Sequence, residues 1–489
     1  MVAAGIIRAM TRSAVVPSLL CVCMLAACSV PTPGAPPPTV AAPTTPTAVP
    51  RRNTETKIPG GPTLLVNGIK ARKVLDVGGV HIRMAHNMTT GELWILSAAN
   101  DIFAIKPEGG AKTKVVGADE MGIPKGANAS GMRFGPDGAL YVVYNRKEGT
   151  ANTRAVVLRG TPAADGRRIW GVAVKTVPYA ASNTNFDHLF NGIAFSPDGR
   201  FMYLNSGSRT DHGEVQSANG AHFKVREVAM TTKIFKVPAD ARDLELPDDE
   251  AKLRTGGYIF AEGTRNAYDL AFAPNGDMFG VDNGPDADYP DELNWLREGR
   301  HYGFPWRFGN YDNPQQFENY DDSKDKFLNK DFVAVQRGTY SVDLTFPKPP
   351  GAFTGPVINN GPAATQYRKE DGGAGDAAKE GRSLATFTAH RSPLGLVFAH
   401  HADMPVDLRG SNERLSAMVL SWGSAGGTLT DRGQDLLHLW LTRNGDNYEA
   451  ATTQLARDFK NPIDAVLLRS KLYVLEYAAN GAIWELSFE

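Results

Sequence analysis

The 489-residue chain predicts an all-β fold: a six-bladed β-propeller with long loop insertions, preceded by a signal peptide and a disordered tether. Three observations carry that reading. One hairpin pattern recurs along the chain, no long helical period separates its copies, and the residues before 62 differ in composition from the rest.

The N-terminal segment comes first. Arg8 and Arg12 precede an apolar run from Ala14 to Ala27, too short and wrongly flanked for a spanning helix. The run closes in Leu25-Ala26-Ala27-Cys28, the cleavage pattern of a bacterial lipoprotein, in which the thiol of Cys28 is lipidated; an ordinary signal peptide with a chance cysteine is the alternative. Residues 1–27 are therefore expected to be a signal peptide and 28–61 a lipidated cysteine with a Pro-, Thr- and Ala-rich tether, leaving the propeller at 62–489. Such a tether cannot bury enough apolar surface to fold. Ser29 favours delivery to an outer membrane, so the expected location is the cell envelope, on the periplasmic face of the outer membrane or the cell surface. Cys21, Cys23 and Cys28 are the only cysteines, which leaves the mature body without a disulfide or a thiolate metal site. With a formal net charge of -1 and no cluster of Lys or Arg, nothing resembles a nucleic-acid footprint.

The hairpins follow in order. Met88–Leu96, Phe134–Val143, Phe195–Leu204 and Phe272–Gly280 each place a turn between two apolar runs, three of them as Phe-x-Pro-Asp/Asn-Gly. Pro presets the first turn position, Asp or Asn tolerates a left-handed backbone, and Gly completes the reversal. Ile463–Leu475 is a weaker copy, followed by a strand at Gly481–Ser487, while Ser392–Phe398 and Ala417–Ser421 supply one further blade. Hairpins repeating in this way suggest a propeller, with a pair of β-sandwiches as the alternative. Long inserts between Asn205 and Lys233 and between Pro305 and Gly381 are expected to build the binding face.

Two segments carry candidate chemistry. His188, with Asp187 beside it, stands at the entrance of the strand Ile193–Phe195, where a ring facing the central channel would be a general base; a hydrogen-bonded loop histidine is the plainer reading. Arg265-Asn266 offers a cation and an amide beside another strand, suited to a quinoid or anionic oxygen. Asp286, Asp288, Asp291, Glu292 and Asp312 crowd one region, as calcium ligands or as a solvated acidic loop. His390 is open to two readings, channel lining or structural, and Trp306 and Trp422 to stacking or packing.

Taken together, Asp-His before a Pro-Asp-Gly hairpin, Arg-Asn before the next, Gly284-Pro285, Asp291-Glu292-Leu-Asn294 and Tyr302-Gly-Phe-Pro resemble the soluble PQQ-dependent glucose/sorbosone dehydrogenases. The resemblance runs from about residue 72 to the end and is most specific over Gly263–Trp306. It implies a six-bladed propeller that oxidises an aldose or related aldehyde with PQQ and calcium, passing electrons to a quinone or cytochrome. His188 matches the catalytic base, with Asp187 as its acidic neighbour. Arg265 and Asn266 match the residues on the quinone, and the carbonyls of Gly284 and Pro285 match those holding the active-site calcium. Asp291, Glu292, Tyr302 and Asp312 fall where structural calcium ligands are placed. The chain departs from the pattern where Gly207-Ser208 replaces Gly-Asp and where cations should neutralise the PQQ carboxylates; Lys460 is the candidate there, with Arg457 and Arg391 as others. A calcium-dependent lactonase and a non-catalytic propeller binding a glycan or protein are the alternative functions. Neither a dinucleotide-binding glycine motif nor a haem-attachment motif is present.

Overall fold

A computed structural model of the chain describes residues 51, 53–423 and 427–489. Cys28 and the residues expected to form a signal peptide and tether, as far as residue 50, lie outside the described residues. The fold is an all-β propeller. Its first sheet runs His81–His86, Leu93–Ser97, Ile102–Ile105 and Thr113–Val116, all antiparallel neighbours. Each later sheet starts again from an inner strand: Asn128–Phe134, Phe190–Phe195, Ala267–Phe272, Pro393–Phe398 and Pro462–Leu468. The inner strands pack in a closed cycle, the last returning to the first. The hairpins expected at Phe134–Val143, Phe195–Leu204 and Phe272–Gly280 each join an inner strand to its neighbour.

The core is divided rather than central. Ile102, Leu140 and Val142 pack between the first two sheets, Phe190, Phe235 and Val157 between the second and third, and Phe279, Leu437 and Val419 between the fourth and fifth. Alternating strands buried on both faces supply these layers, as blade-on-blade packing requires.

One local device repeats around the ring. In every inner hairpin the pairing register slips once, between His81 and Arg83, Ala129 and Gly131, Phe190 and Ile193, Ala267 and Asp269, Pro393 and Gly395, and Pro462 and Asp464. Such bulges bend the strand and leave backbone N–H groups to be met otherwise. Asp269 meets two, accepting from Leu270 N at 3.0 Å and from Leu396 N of the next sheet at 2.9 Å. Asp464 does the same with Ala465 N and Met84 N, both at 2.8 Å, and so ties the last sheet to the first.

One expectation about the N-terminal end needs correction. The tether was expected to reach residue 61, but Asn53–Lys57 is a strand antiparallel to Thr63–Val66, which in turn extends the fifth sheet beside Asn447–Arg457. A polar segment gains backbone partners at an open sheet edge without needing a core of its own. The last sheet is completed by Ile69–Asp76, which pairs with Ala482–Phe488. The fourth sheet has three strands, and its outer edge is met by Val357 N on Leu293 O and Phe387 N on Asp291 O.

Candidate active site

Strand ends, their loops and one of the two long inserts line a cavity of about 630 Å³, with His188, Arg265, Asn283, Gly284, Pro285, Asp291, His390 and Trp422 among its walls. The insert after Pro305 contributes Asp331, Phe332 and Val333 to its wall. His188 therefore lines one cavity with Arg265 and the Gly284-Pro285 pair, the arrangement that the resemblance implies.

His188 is half-buried and held from one side. Its Nδ1 lies 3.1 Å from Ser208 Oγ, and that hydroxyl donates to Thr210 O at 2.7 Å. Because the serine proton is committed, Nδ1–H is the donor to Ser208 and Nε2 keeps its lone pair. Nε2 has no partner among the described residues and is not a buried orphan, so it opens on the cavity. Burial, then the charge of Arg265, push the imidazole down to about 3, which keeps it neutral with its lone pair unprotonated. Gly207 permits this arrangement: a Cβ there would sit 2.4 Å from His188 Cβ.

Asp187 does not take part. Its carboxylate accepts from Ser182 N at 2.7 Å and Asn183 N at 2.8 Å, closing its own loop away from the ring. Adjacent residues on an extended backbone point to opposite sides, and sequence proximity hid that.

Arg265 is fixed by a residue that the motif did not contain. Its Nε donates to Asp211 O at 2.7 Å and its Nη2 to Asp211 Oδ1 at 2.8 Å, while Nη1 reaches Asn283 O at 3.3 Å. Asp211 has no exposed surface and also takes hydrogen bonds from Tyr340 Oη at 2.9 Å and Asp286 N at 3.0 Å. Burial alone would raise its pKa; the His212 hydrogen bond and the Arg265 charge override that and hold it well below the usual carboxylate range. Asn266 stands one layer back, accepting from Asn191 Nδ2 at 2.9 Å and donating to Asn283 Oδ1 at 3.1 Å. Asn283, not Asn266, lines the cavity, together with Asn185.

The acidic residues separate into three places. Asp291 receives Gly284 N and Ser392 N, each at 2.7 Å, on the main cavity wall. Glu292 and Tyr302 line a second, enclosed space of about 10 Å³ together with Asp282, room for one water or ion. Burial raises the carboxyl groups of Asp282 and Glu292; the charge of Asp291 raises Asp282 further, and that of Asp282 raises Glu292. Asp312 lies elsewhere: it is exposed and bound to Arg307 at 3.0 and 3.1 Å. Among the described residues no three metal-binding side chains converge. A calcium would therefore rest partly on backbone, and the carbonyls of Gly284 and Pro285 accept no hydrogen bond among the described residues. Hard oxygen donors of this kind suit calcium.

Lys460 is exposed and absent from the cavity wall, so the expected carboxylate-neutralising cation is not there. Arg457 is half-exposed and paired with Glu55, and Arg391 is buried against Asp431 and Asp435. The lining instead joins one guanidinium to the carboxylates Asp286, Asp291 and Asp331. Trp422 lines the cavity; Trp306 faces a different surface groove.

Comparison with known proteins follows the same geometry. A sequence profile described as Glucose / Sorbosone dehydrogenase matches residues 87–332. No curated protein matches the chain. Among solved structures, the soluble aldose sugar dehydrogenase of Escherichia coli in the apo form is similar at a TM-score of 0.54 and 14% identity, over 86% of this chain and 100% of that one. A structure described as glucose dehydrogenase reaches 0.55 at 16% identity, over 85% and 99%. The PQQ domain of pyranose dehydrogenase from Coprinopsis cinerea, in its holo form, gives 0.52 at 13%, over 90% and 98%. Identities this low establish the shared propeller fold.

Proposed function

The chain belongs to the glucose/sorbosone dehydrogenase family of oxidoreductases, and from that premise we propose that it oxidises an aldose or related aldehyde with PQQ and calcium, His188 acting as base. The observation that carries the reading is a neutral imidazole whose open Nε2 shares one cavity with a fixed guanidinium. Nε2 accepts the proton of the anomeric hydroxyl, and Ser208 keeps the ring in the tautomer that can do so. Arg265, locked by Asp211, presents its uncommitted N–H groups to an oxygen that gains negative charge.

The donor set suits both groups. Arg265 and Asn283 would hold the quinone end of PQQ, and Gly284 O, Pro285 O and the carboxylate of Asp291 or Asp286 would hold calcium. Bound PQQ supplies a two-electron acceptor for the sugar. With no free ammonium on the wall, the divalent cation is the charge that offsets the cofactor's carboxylates, since uncompensated buried charge is costly. Electrons then pass to a quinone or cytochrome. We count the propeller as six-bladed, supported by the closed cycle of inner strands. We place it in the cell envelope, anchored through lipid on Cys28, which the Leu-Ala-Ala-Cys sequence supports.

Titrating PQQ with calcium into the purified protein while following dye reduction across an aldose panel tests this. Saturable, calcium-requiring turnover is expected. Calcium uptake without PQQ uptake would overturn the redox reading and favour a lactonase.

A further inference from the structure

His390 lines the same cavity as His188 and has more built around it. Its Nε2 lies 2.9 Å from Asp288 Oδ1, with Asp288 2% and His390 6% exposed. Arg368 Nε stands 3.5 Å from the other oxygen of Asp288. On one face the imidazole stacks against Phe332, with ring centroids 4.0 Å apart. A carboxylate only accepts hydrogen bonds, so in the neutral ring Nε2 carries the proton and Nδ1 the lone pair. Nδ1 has no partner among the described residues and is not a buried orphan, which leaves it open to the cavity.

The backbone shows what holds it there. His390 and Ser392 have φ of 61° and 51°, in the left-handed region that side chains disfavour. Between them Arg391 is driven inward, 1% exposed, onto Asp431 and, at 2.5 Å, Asp435. Ser392 N is tied to Asp291 at 2.7 Å, and Phe387 N to Asp291 O at 2.9 Å. The segment is thus anchored at several points in a strained path whose product is one imidazole facing the cavity. A histidine serving only to pack would need neither the strain nor an open nitrogen.

The rest of the wall indicates what Nδ1 meets. Beside donors at Asn185, Ser392, Trp422 and the remaining N–H groups of Arg265, the wall carries His188 Nε2 and the carboxylates of Asp286, Asp291 and Asp331 as acceptors. Acceptors complement a ligand rich in O–H donors. We propose that the Asp288–His390 pair is a second substrate anchor: His390 Nδ1 accepts a hydrogen bond from a sugar hydroxyl away from the reacting carbon and so selects among epimers. The inference rests on the sugar-oxidising function proposed above.

Two variants test it without endangering the fold. His390→Gly removes the imidazole at a position whose backbone suits glycine. Asp288→Asn keeps the shape but offers a donor to Nε2, which turns Nδ1 into N–H. Both should raise KM for the preferred aldose by about tenfold, the value of one hydrogen bond of this kind. They should leave kcat nearly unchanged and erase the preference between that aldose and its epimers or deoxy analogues. Unchanged KM and epimer preference in His390→Gly would overturn the anchor. Imidazole 15N NMR of the protein without PQQ gives a reading independent of turnover. Nδ1 should report as unprotonated and shift on adding glucose, galactose or mannose. A shift in a protein that oxidises no sugar would sustain the anchor while removing the dehydrogenase reading. A protonated Nδ1, or no shift with any sugar, would remove the anchor.

Discussion

At the scale of the residue, the site depends on which nitrogen is free. Ser208 fixes Nδ1 of His188, so Nε2 is the nitrogen that the proposed mechanism uses as base. His188→Ala should lower kcat by about 10²–10⁴-fold with little change in folding. Burial and Arg265 hold the imidazole at about 3, against 6.5 in an unfolded chain. The base therefore stays neutral through the physiological range, and the acid limb of kcat/KM should lie well below pH 6.5. The same shift acts on stability. As pH falls through 6.5 the unfolded chain takes up a proton that the fold refuses, so His188 makes the protein less stable on acidification. His188→Gln should flatten that decline in denaturation midpoint. Asp187→Asn should cost about 1 kcal/mol, because one of two backbone donors is left unmet, and should leave the pH profile of activity unmoved. His188 and Arg265 stand out in the sequence because each sits in a linear motif beside a hairpin, and the structure sets both on one cavity. Asp187, Asn266 and Lys460 were misplaced for one reason: spacing does not say which way a side chain points. Asp211 came into view only when a distant insert folded over Arg265.

At the scale of the element, the repeating unit is an inner hairpin with one bulge, and the two bulge aspartates described above join neighbouring sheets. Burial raises the pKa of Asp464, with Arg83 opposing and Asp269 adding to the rise. A carboxyl whose pKa is raised on folding contributes stability that is full below its unfolded value of 3.8 and is lost as pH rises through the folded one. Thermal unfolding across that range should show this loss. Asp464→Asn should flatten it while lowering stability at pH 5 by about 1 kcal/mol, for one backbone donor. The hairpins were readable because Pro-Asp-Gly encodes its own turn. The edge of the fourth sheet was not, because Val357 and Phe387 meet it as single backbone contacts without strand periodicity. That irregular edge brings residues 386–392, and with them His390, to the cavity.

At the scale of the whole molecule, the ring closes between its two ends, with Ile69–Asp76 completing the sheet that ends at Phe488. The strand alternates weakly and its partner lies at the far end of the chain, so local pattern could not reveal the closure. The propeller itself was legible because it repeats. Around the site, burial raises the carboxyl groups of Asp282, Asp286, Asp291 and Glu292 together. The fold keeps protons there that an unfolded chain releases, so alkaline pH should destabilise the metal-free protein, and calcium should offset this by binding the ionised form. Chelation should therefore lower Tm more at pH 9 than at pH 6, read by calorimetry with and without calcium. Under the proposed function, one cavity brings His188 Nε2, Arg265 and a calcium on the Gly284 and Pro285 carbonyls to a single sugar. A crystal structure with PQQ, calcium and an aldose tests it directly. An anomalous calcium peak at those carbonyls, with the anomeric hydroxyl about 3 Å from Nε2, is the expected result. A sugar bound with His188 facing away, or a metal held elsewhere, would contradict it.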